Sequence, residues 1–222
     1  MTAAARVLPP RAPARWRFEV YKWATGIAVG AAASVLYFTN GWTHRVRSTQ
    51  LLDTALDRAI PFNLHAVWFY LPFYVGGFLI AVATCRDRRL YDRALVSILL
   101  CAGLGAIGHW LVPAEYPRPA VLAPYPNASA AFLAWVQRID PPSNVFPSLH
   151  VAFAVQLALI LRVHRPPVGA ILLVMAGVLS ASTLLTKQHF IADVVGGLAL
   201  GAPIAAWVLR PYGGLRGRPA PT

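Results

Sequence analysis

Apolar residues in this chain gather into runs, with little of the alternation expected of half-buried strands. Six runs stand out, at about residues 20–38, 64–84, 94–112, 149–163, 168–185 and 190–209. Each is continuous enough to be read as a helix. At about 1.5 Å of rise per residue, helices of this length approach the roughly 30 Å hydrocarbon thickness of a bilayer. The pattern predicts an all-α, polytopic integral membrane protein with six transmembrane helices. Small residues at 31–33 near the end of the first run also suit a signal peptide; the run is long enough to span, and a retained helix is expected.

The segments between the runs set the orientation. With the N-terminus inside, 14 of the 20 basic residues fall in cytoplasmic segments and six on the other side. Such an asymmetry places both termini in the cytoplasm. Residues 1–17, rich in Ala, Pro and Arg, predict a disordered basic tail; 18–210 form the membrane domain, and 211–222 a second tail. Three segments, 40–63, 113–147 and 186–188, then share the outer face. Residues 113–147 are long for an idle connection. Within them 128–136 predict a short surface helix anchored by Phe132 and Trp135.

Composition supports this class. Hydrophobic residues make up 57% of the chain, charged residues 13%, and mean hydropathy is +0.54, values of a membrane protein rather than a soluble domain. A net charge of +12 suggests nucleic acid until position is considered. The basic residues lie mostly between apolar runs, where they set topology and meet anionic head groups, so no nucleic-acid partner is expected. Cys85 and Cys101 lie in or beside apolar runs without metal or redox spacing and read as core residues.

Candidate chemistry collects at the outer ends of the runs. His189 and Asp193 are four apart, so on a helix both project from one face. A carboxylate there fixes the tautomer of an imidazole and raises the basicity of its second nitrogen. The pair also suits a capped helix start with a solvated histidine. Ser148 follows a proline and precedes an apolar run, as an N-cap does, which puts His150 in the first helical turn. Free amides at such a helix start favour an anion. His65, His109, Glu115 and Asn144 lie near the same face and are pocket candidates. The aromatic run from Trp68 to Tyr74 reads as interfacial or lipid-facing surface.

Pro147-Ser148-Leu149-His150, followed by Ser182, His189 and Asp193, resembles the type 2 phosphatidic acid phosphatase superfamily, whose motifs are K-x6-R-P, P-S-G-H and S-R-x5-H-x3-D. The resemblance implies a six-helix membrane core with an extracytoplasmic site, in a plasma membrane expected to be bacterial. It implies that His189 is the nucleophile, oriented by Asp193, and that His150 protonates the leaving oxygen. Ser148 and Arg118 would hold the phosphoryl group, with Ser182 and Thr183 in the third motif. The substrate would be a lipid phosphate, diphosphate or phosphodiester, cleaved through a phosphohistidine and resolved by water or a hydroxyl acceptor, with no metal or cofactor.

Two family cations are absent, since Leu111 stands at the lysine position and Thr183 at the arginine position. Lys187 is a candidate to restore one charge, or else a topology lysine. Leu149 in the second motif and Ser182-Thr183 in the third are similar to the inositol phosphorylceramide synthase branch, where an acceptor hydroxyl can take the place of water as the resolving nucleophile. The alternative is a non-catalytic lipid-binding or transport protein on the same fold.

Overall fold

The computed structural model describes residues 15–40 and 48–214. Most of both expected tails, 1–17 and 211–222, lies outside them. Eight α-helices follow in chain order: α1 Arg15–Asn40, α2 Ala55–Ala59, α3 Val67–Thr84, α4 Arg88–Leu111, α5 Ala128–Ile139, α6 Leu149–His164, α7 Pro166–Leu185 and α8 Ile191–Leu209. Short 3₁₀ turns, Leu64–Ala66 and Arg210–Tyr212, precede α3 and follow α8. Among the described residues no strand forms. Parallel single-residue bridges join Gln50 to Ala114 and Ala114 to Asn144.

Six of these helices cover the six apolar runs. Four segments, Leu64–Thr84, Arg88–Leu111, Pro166–Leu185 and Ile191–Tyr212, are long and apolar enough to cross a membrane. Of the remaining two, α6 follows its expected run to within one residue, and α1 extends past both ends of its run. The helix α6 stops after 16 residues, because Arg165 leaves helical geometry and Pro166-Pro167 open α7, where proline costs no intrahelical hydrogen bond. The helix α1 starts earlier than the apolar run and carries Arg17, Glu19 and Lys22 in its opening turns.

Polar contacts reveal how the ends are matched. Lys22, fully buried, donates to the Cys85 carbonyl at 3.1 Å and pairs with Glu19 at 3.0 Å. Its ammonium thereby meets the negative end of α3, while Tyr91 donates to the Lys22 carbonyl at 2.5 Å. At the same end Arg93 of α4 donates to Val208 of α8 at 3.0 Å. At the opposite end the Asn63 amide reaches the Leu185 carbonyl at 2.8 Å, and the Ser148 amide reaches the Asp193 carbonyl at 3.0 Å. The starts of α6 and α8 therefore meet at the end that carries α2 and α5.

The helix α6 is the centre of the packing. Leu149, Ala152 and Phe153 lie against Ile98, Cys101 and Ala102 of α4, Ala33 of α1 and Ile204 of α8; Val151 and Val155 meet Ala176 and Leu179 of α7. Both cysteines are buried thiols. Small residues permit a close approach between α6 and α8. A Cβ on Gly201 would lie 2.3 Å from the Ala152 carbonyl oxygen, and one on Gly197 would lie 2.5 Å from that of Ser148. The surface helix α5 runs three residues past its expected end, capped at its start by Asn127, whose side chain accepts from Ala130. It packs on α3, where Trp68 stacks on Phe132 at 4.7 Å.

Two glycines should therefore respond in opposite directions. Gly201→Val forces α6 and α8 apart and is expected to cost about 1–3 kcal/mol, read as a lowered thermal midpoint of the purified protein. Gly103 has open space around the Cβ position, so Gly103→Ala should raise the midpoint through helix propensity, worth up to about 1 kcal/mol.

Candidate active site

The turn between α7 and α8 places the first histidine. Lys187 takes a left-handed backbone conformation, φ 55°, and the chain reverses on hydrogen bonds from Thr186 to the Ser182 carbonyl and from Gln188 to the Thr183 carbonyl, both 2.9 Å. The Ser182 and Thr183 hydroxyls donate to Leu179 and Ser180 within α7. Their carbonyls shape the turn, while their hydroxyls are spent within their own helix.

His189 leaves this turn just ahead of α8. Asp193 occupies the third position of that helix, and its Oδ2 accepts from the Phe190 amide at 2.7 Å and from His189 Nδ1 at 3.3 Å. One carboxylate thus caps the helix and holds the ring. Both side chains are almost completely removed from solvent, at 0% and 2% exposure. With Nδ1 donating, Nε2 is the free nitrogen; it lies 3.2 Å from Ser148 Oγ. Ser148 is the N-cap of α6, so Asp193, His189 and Ser148 form a line across the junction of two helix starts.

His150 stands in the first turn of α6, its ring centre 6.0 Å from that of His189. Tyr37 of α1 and Tyr70 and Tyr74 of α3 enclose it, with ring centres 5.9, 4.9 and 4.9 Å away. The Tyr70 hydroxyl lies 3.2 Å from His150 Nδ1 and 3.3 Å from Nε2. It also donates to Asp140 Oδ2 at 3.1 Å.

Asp140, which ends α5, is the residue that the sequence did not single out. Tyr37 and Tyr70 both donate to its carboxylate, and Arg118 reaches it three ways: to the Asp140 carbonyl at 2.5 Å, to Oδ2 at 3.3 Å and to the adjoining Pro141 carbonyl at 3.3 Å. Burial pushes the Asp140 carboxyl up, but Arg118, His150, the Tyr37 hydroxyl and His189 outweigh it and hold it below the ordinary carboxylate range. A signal was present, since Tyr70 and Tyr74 share the i,i+4 spacing of one helix face. Tyr70 is fully buried, whereas Trp68 and Phe69 are exposed, so the aromatic run divides by helical face.

The remaining candidates scatter. Lys187 turns its ammonium to the carbonyls of Asp57, 2.9 Å, and Ile60, 2.6 Å, at the end of α2. Asp57 in return accepts from the Ile191 amide at the start of α8, at 2.7 Å. Burial raises the Asp57 carboxyl, yet the Thr54 hydroxyl, the Ile191 and Thr54 amides and the Lys187 ammonium lower it overall. Glu115 accepts from Thr49 at 3.2 Å. His65 is exposed and meets Ser129 at 2.9 Å. His109 contacts the Pro147 carbonyl at 3.1 Å, and Asn144 donates to the Tyr37 carbonyl at 2.5 Å; both brace the segment that leads into Ser148.

Beside His150 opens an apolar cavity of about 240 Å³. Gly30, Ala33, Phe78, Ile98, Phe153 and Leu157 are among its walls, and Tyr37 and His150 stand at its polar end.

A family model described as the PAP2 superfamily matches residues 43–207. No curated protein and no solved structure matches the chain. The charge on Asp140 makes an acid-pH prediction. Its lowered folded value means that its stabilising contribution is complete above the unfolded carboxylate value of about 3.9 and is lost as pH falls through the folded value. The thermal midpoints of the unmodified protein and Asp140→Asn should therefore differ by a constant amount at higher pH, and the gap should close below about pH 4.

Proposed function

The chain belongs to the PAP2 superfamily, and on that premise we propose that it is a membrane enzyme cleaving a lipid phosphate, diphosphate or phosphodiester through a phosphohistidine. Membership suggests phosphatase-like chemistry on lipid phosphates. The observation that carries the finer reading is the line from Asp193 through His189 Nδ1, with His189 Nε2 turned to Ser148 and His150 6.0 Å beyond. Over that separation one imidazole can attack phosphorus while the other reaches the leaving oxygen.

In the proposed reaction His189 Nε2 forms the bond to phosphorus, and the bond from phosphorus to the lipid oxygen breaks. The departing oxygen takes its electron pair and a proton from His150. Asp193 stabilises the charge that develops on His189 and keeps the ring aimed. Ser148 and the free amides at the start of α6 donate to the phosphoryl oxygens, and Arg118 balances their charge. Neutral His150 then accepts the proton of water or of an acceptor hydroxyl as that nucleophile displaces His189. Lys187 serves this site by holding the turn to α2, through the contacts it makes there.

The apolar cavity supports a lipid as the leaving group, because its polar end is His150. Six spans, with α1 and α6 crossing alongside the four segments that are long and apolar enough to do so, would put that cavity within the bilayer and the histidines on the outer face. The third-motif Ser182-Thr183 and Leu149 favour the inositol phosphorylceramide synthase-like branch, with a hydroxyl as the final acceptor.

His189→Ala should lower phosphate release from lipid phosphates by at least about 10³-fold, as loss of a nucleophile does. Equal, low release from both proteins would leave the lipid-binding or transport reading standing. Where unmodified protein hydrolyses poorly, product formation on adding a lipid hydroxyl acceptor would identify transfer. The cavity has its own test: Gly30→Trp, at a wall position where a Cβ meets only the tip of Phe78 at 4.0 Å, should raise KM for a long-chain lipid phosphate about tenfold or more. Its KM for a short water-soluble phosphate ester should change little.

A further inference from the structure

We propose that Tyr70 and Asp140 form a proton-holding relay behind His150, making Tyr70 and Asp140 positioning residues for the leaving-group step. The inference rests on the reading of His150 as proton donor. Asp140 is buried and faces Arg118 at 3.3 Å, so it is a carboxylate and accepts hydrogen bonds without donating any. Tyr70 has one proton, and the carboxylate oxygen at 3.1 Å takes it. The lone pairs of the Tyr70 oxygen are then left for the imidazole, which lies at 3.2 and 3.3 Å. His150 must therefore donate to Tyr70 from one ring nitrogen, and the second nitrogen carries the proton that departs.

The arrangement parallels the other half of the site. Asp193 backs His189 directly, whereas Asp140 backs His150 with one tyrosine hydroxyl between. The negative charge of Asp140, passed on through the Tyr70 dipole, favours the imidazolium that a general acid must be before it acts. When His150 releases its proton, the leaving oxygen gains it and the ring keeps the proton bonded to Tyr70, so the relay itself neither gains nor loses one. Its position also limits motion. Tyr37, Tyr70 and Tyr74 pack around the ring, and only Tyr70 among them has a hydrogen bond to it in the described contacts.

The same carboxylate oxygen that accepts from Tyr70 also faces Arg118. Proton donor and phosphate cation thus share one anchor, at the end of α5, outside the three sequence motifs. Displacing Asp140 should disturb both, whereas removing only the Tyr70 hydroxyl should disturb the proton donor alone.

Leaving-group dependence separates this role from a merely structural one. An alkyl phosphate needs a proton on its departing oxygen, while p-nitrophenyl phosphate has a leaving group stable without one. Tyr70→Phe keeps the buried ring and should lower kcat/KM, which reports the leaving-group step and not the later attack on the phosphohistidine, by about tenfold or more for decyl phosphate, with a change below about threefold for p-nitrophenyl phosphate. His150→Ala should show the same contrast, enlarged, and adding Tyr70→Phe to it should have no further effect, because the two act as one unit. Asp140→Asn should combine that contrast with a further loss of kcat/KM on both substrates, because Arg118 loses its anchor as well. Equal losses on the two substrates in Tyr70→Phe, or additive losses in the double variant, would overturn the relay while leaving the phosphohistidine reading intact. Absence of leaving-group release from both substrates by the unmodified protein with a lipid hydroxyl acceptor supplied, at a level matched by His189→Ala, would overturn the two together.

Discussion

The contact between the starts of α6 and α8 governs the arrangement of this molecule. Gly197 and Gly201 let α8 lie on the backbone of α6 at Ser148 and Ala152, and the Ser148 amide closes on the Asp193 carbonyl. A side chain at either glycine would push the helices apart, because its Cβ would fall 2.3–2.5 Å from a backbone oxygen of α6. The 3.2 Å approach of Ser148 to His189 depends on that closeness. Close packing of backbone is thus the condition for the chemistry, as small residues at helix interfaces commonly allow.

Around this junction the structure uses helix ends twice over. Their unpaired amides are satisfied in part by the Asp193 carboxylate and the Ser148 hydroxyl, and those same side chains are turned toward His189. Asp57 reaches the start of α8 from α2, and Lys187 reaches the end of α2 from the α7–α8 turn. This reciprocal pair makes the α7–α8 turn a fixed support. Charges that sequence position alone assigns to topology or to phosphate are spent on helix termini, where the field of aligned peptide groups favours them.

The two histidines sit in unlike surroundings. His189 has a carboxylate in contact and a hydroxyl in front; His150 has three tyrosines around it and a carboxylate one hydroxyl away. Such a difference suits two imidazoles with opposite tasks in one reaction. Asp140 connects this asymmetry to Arg118, so the cation and the more enclosed histidine depend on a single buried anion.

Much of this was legible in the chain. Apolar runs predicted the long helices, since continuous burial in an apolar medium leaves a direct mark on composition, and the i,i+4 spacing of His189 and Asp193 placed both on one face. Helix limits at α1 were less legible, because its polar first turns are carried by contacts with α3 and α4, whereas the arginine–proline boundary that ends α6 is written in the chain. Lys187, Glu115 and His65 lie near the site in sequence order, yet their direction depends on which loop each meets. Tyr70 was hidden in an aromatic run whose members divide between exposed and buried faces of α3. Asp140 could be found only in three dimensions, because its partners Tyr37, Tyr70 and Arg118 come from three separate elements. Sequence by itself determined the helical class and the residues of the His189 line, through periodicity and local spacing; tertiary structure alone decided which distant charges neutralise one another, because a buried ion must find its counter-charge wherever the packing brings it.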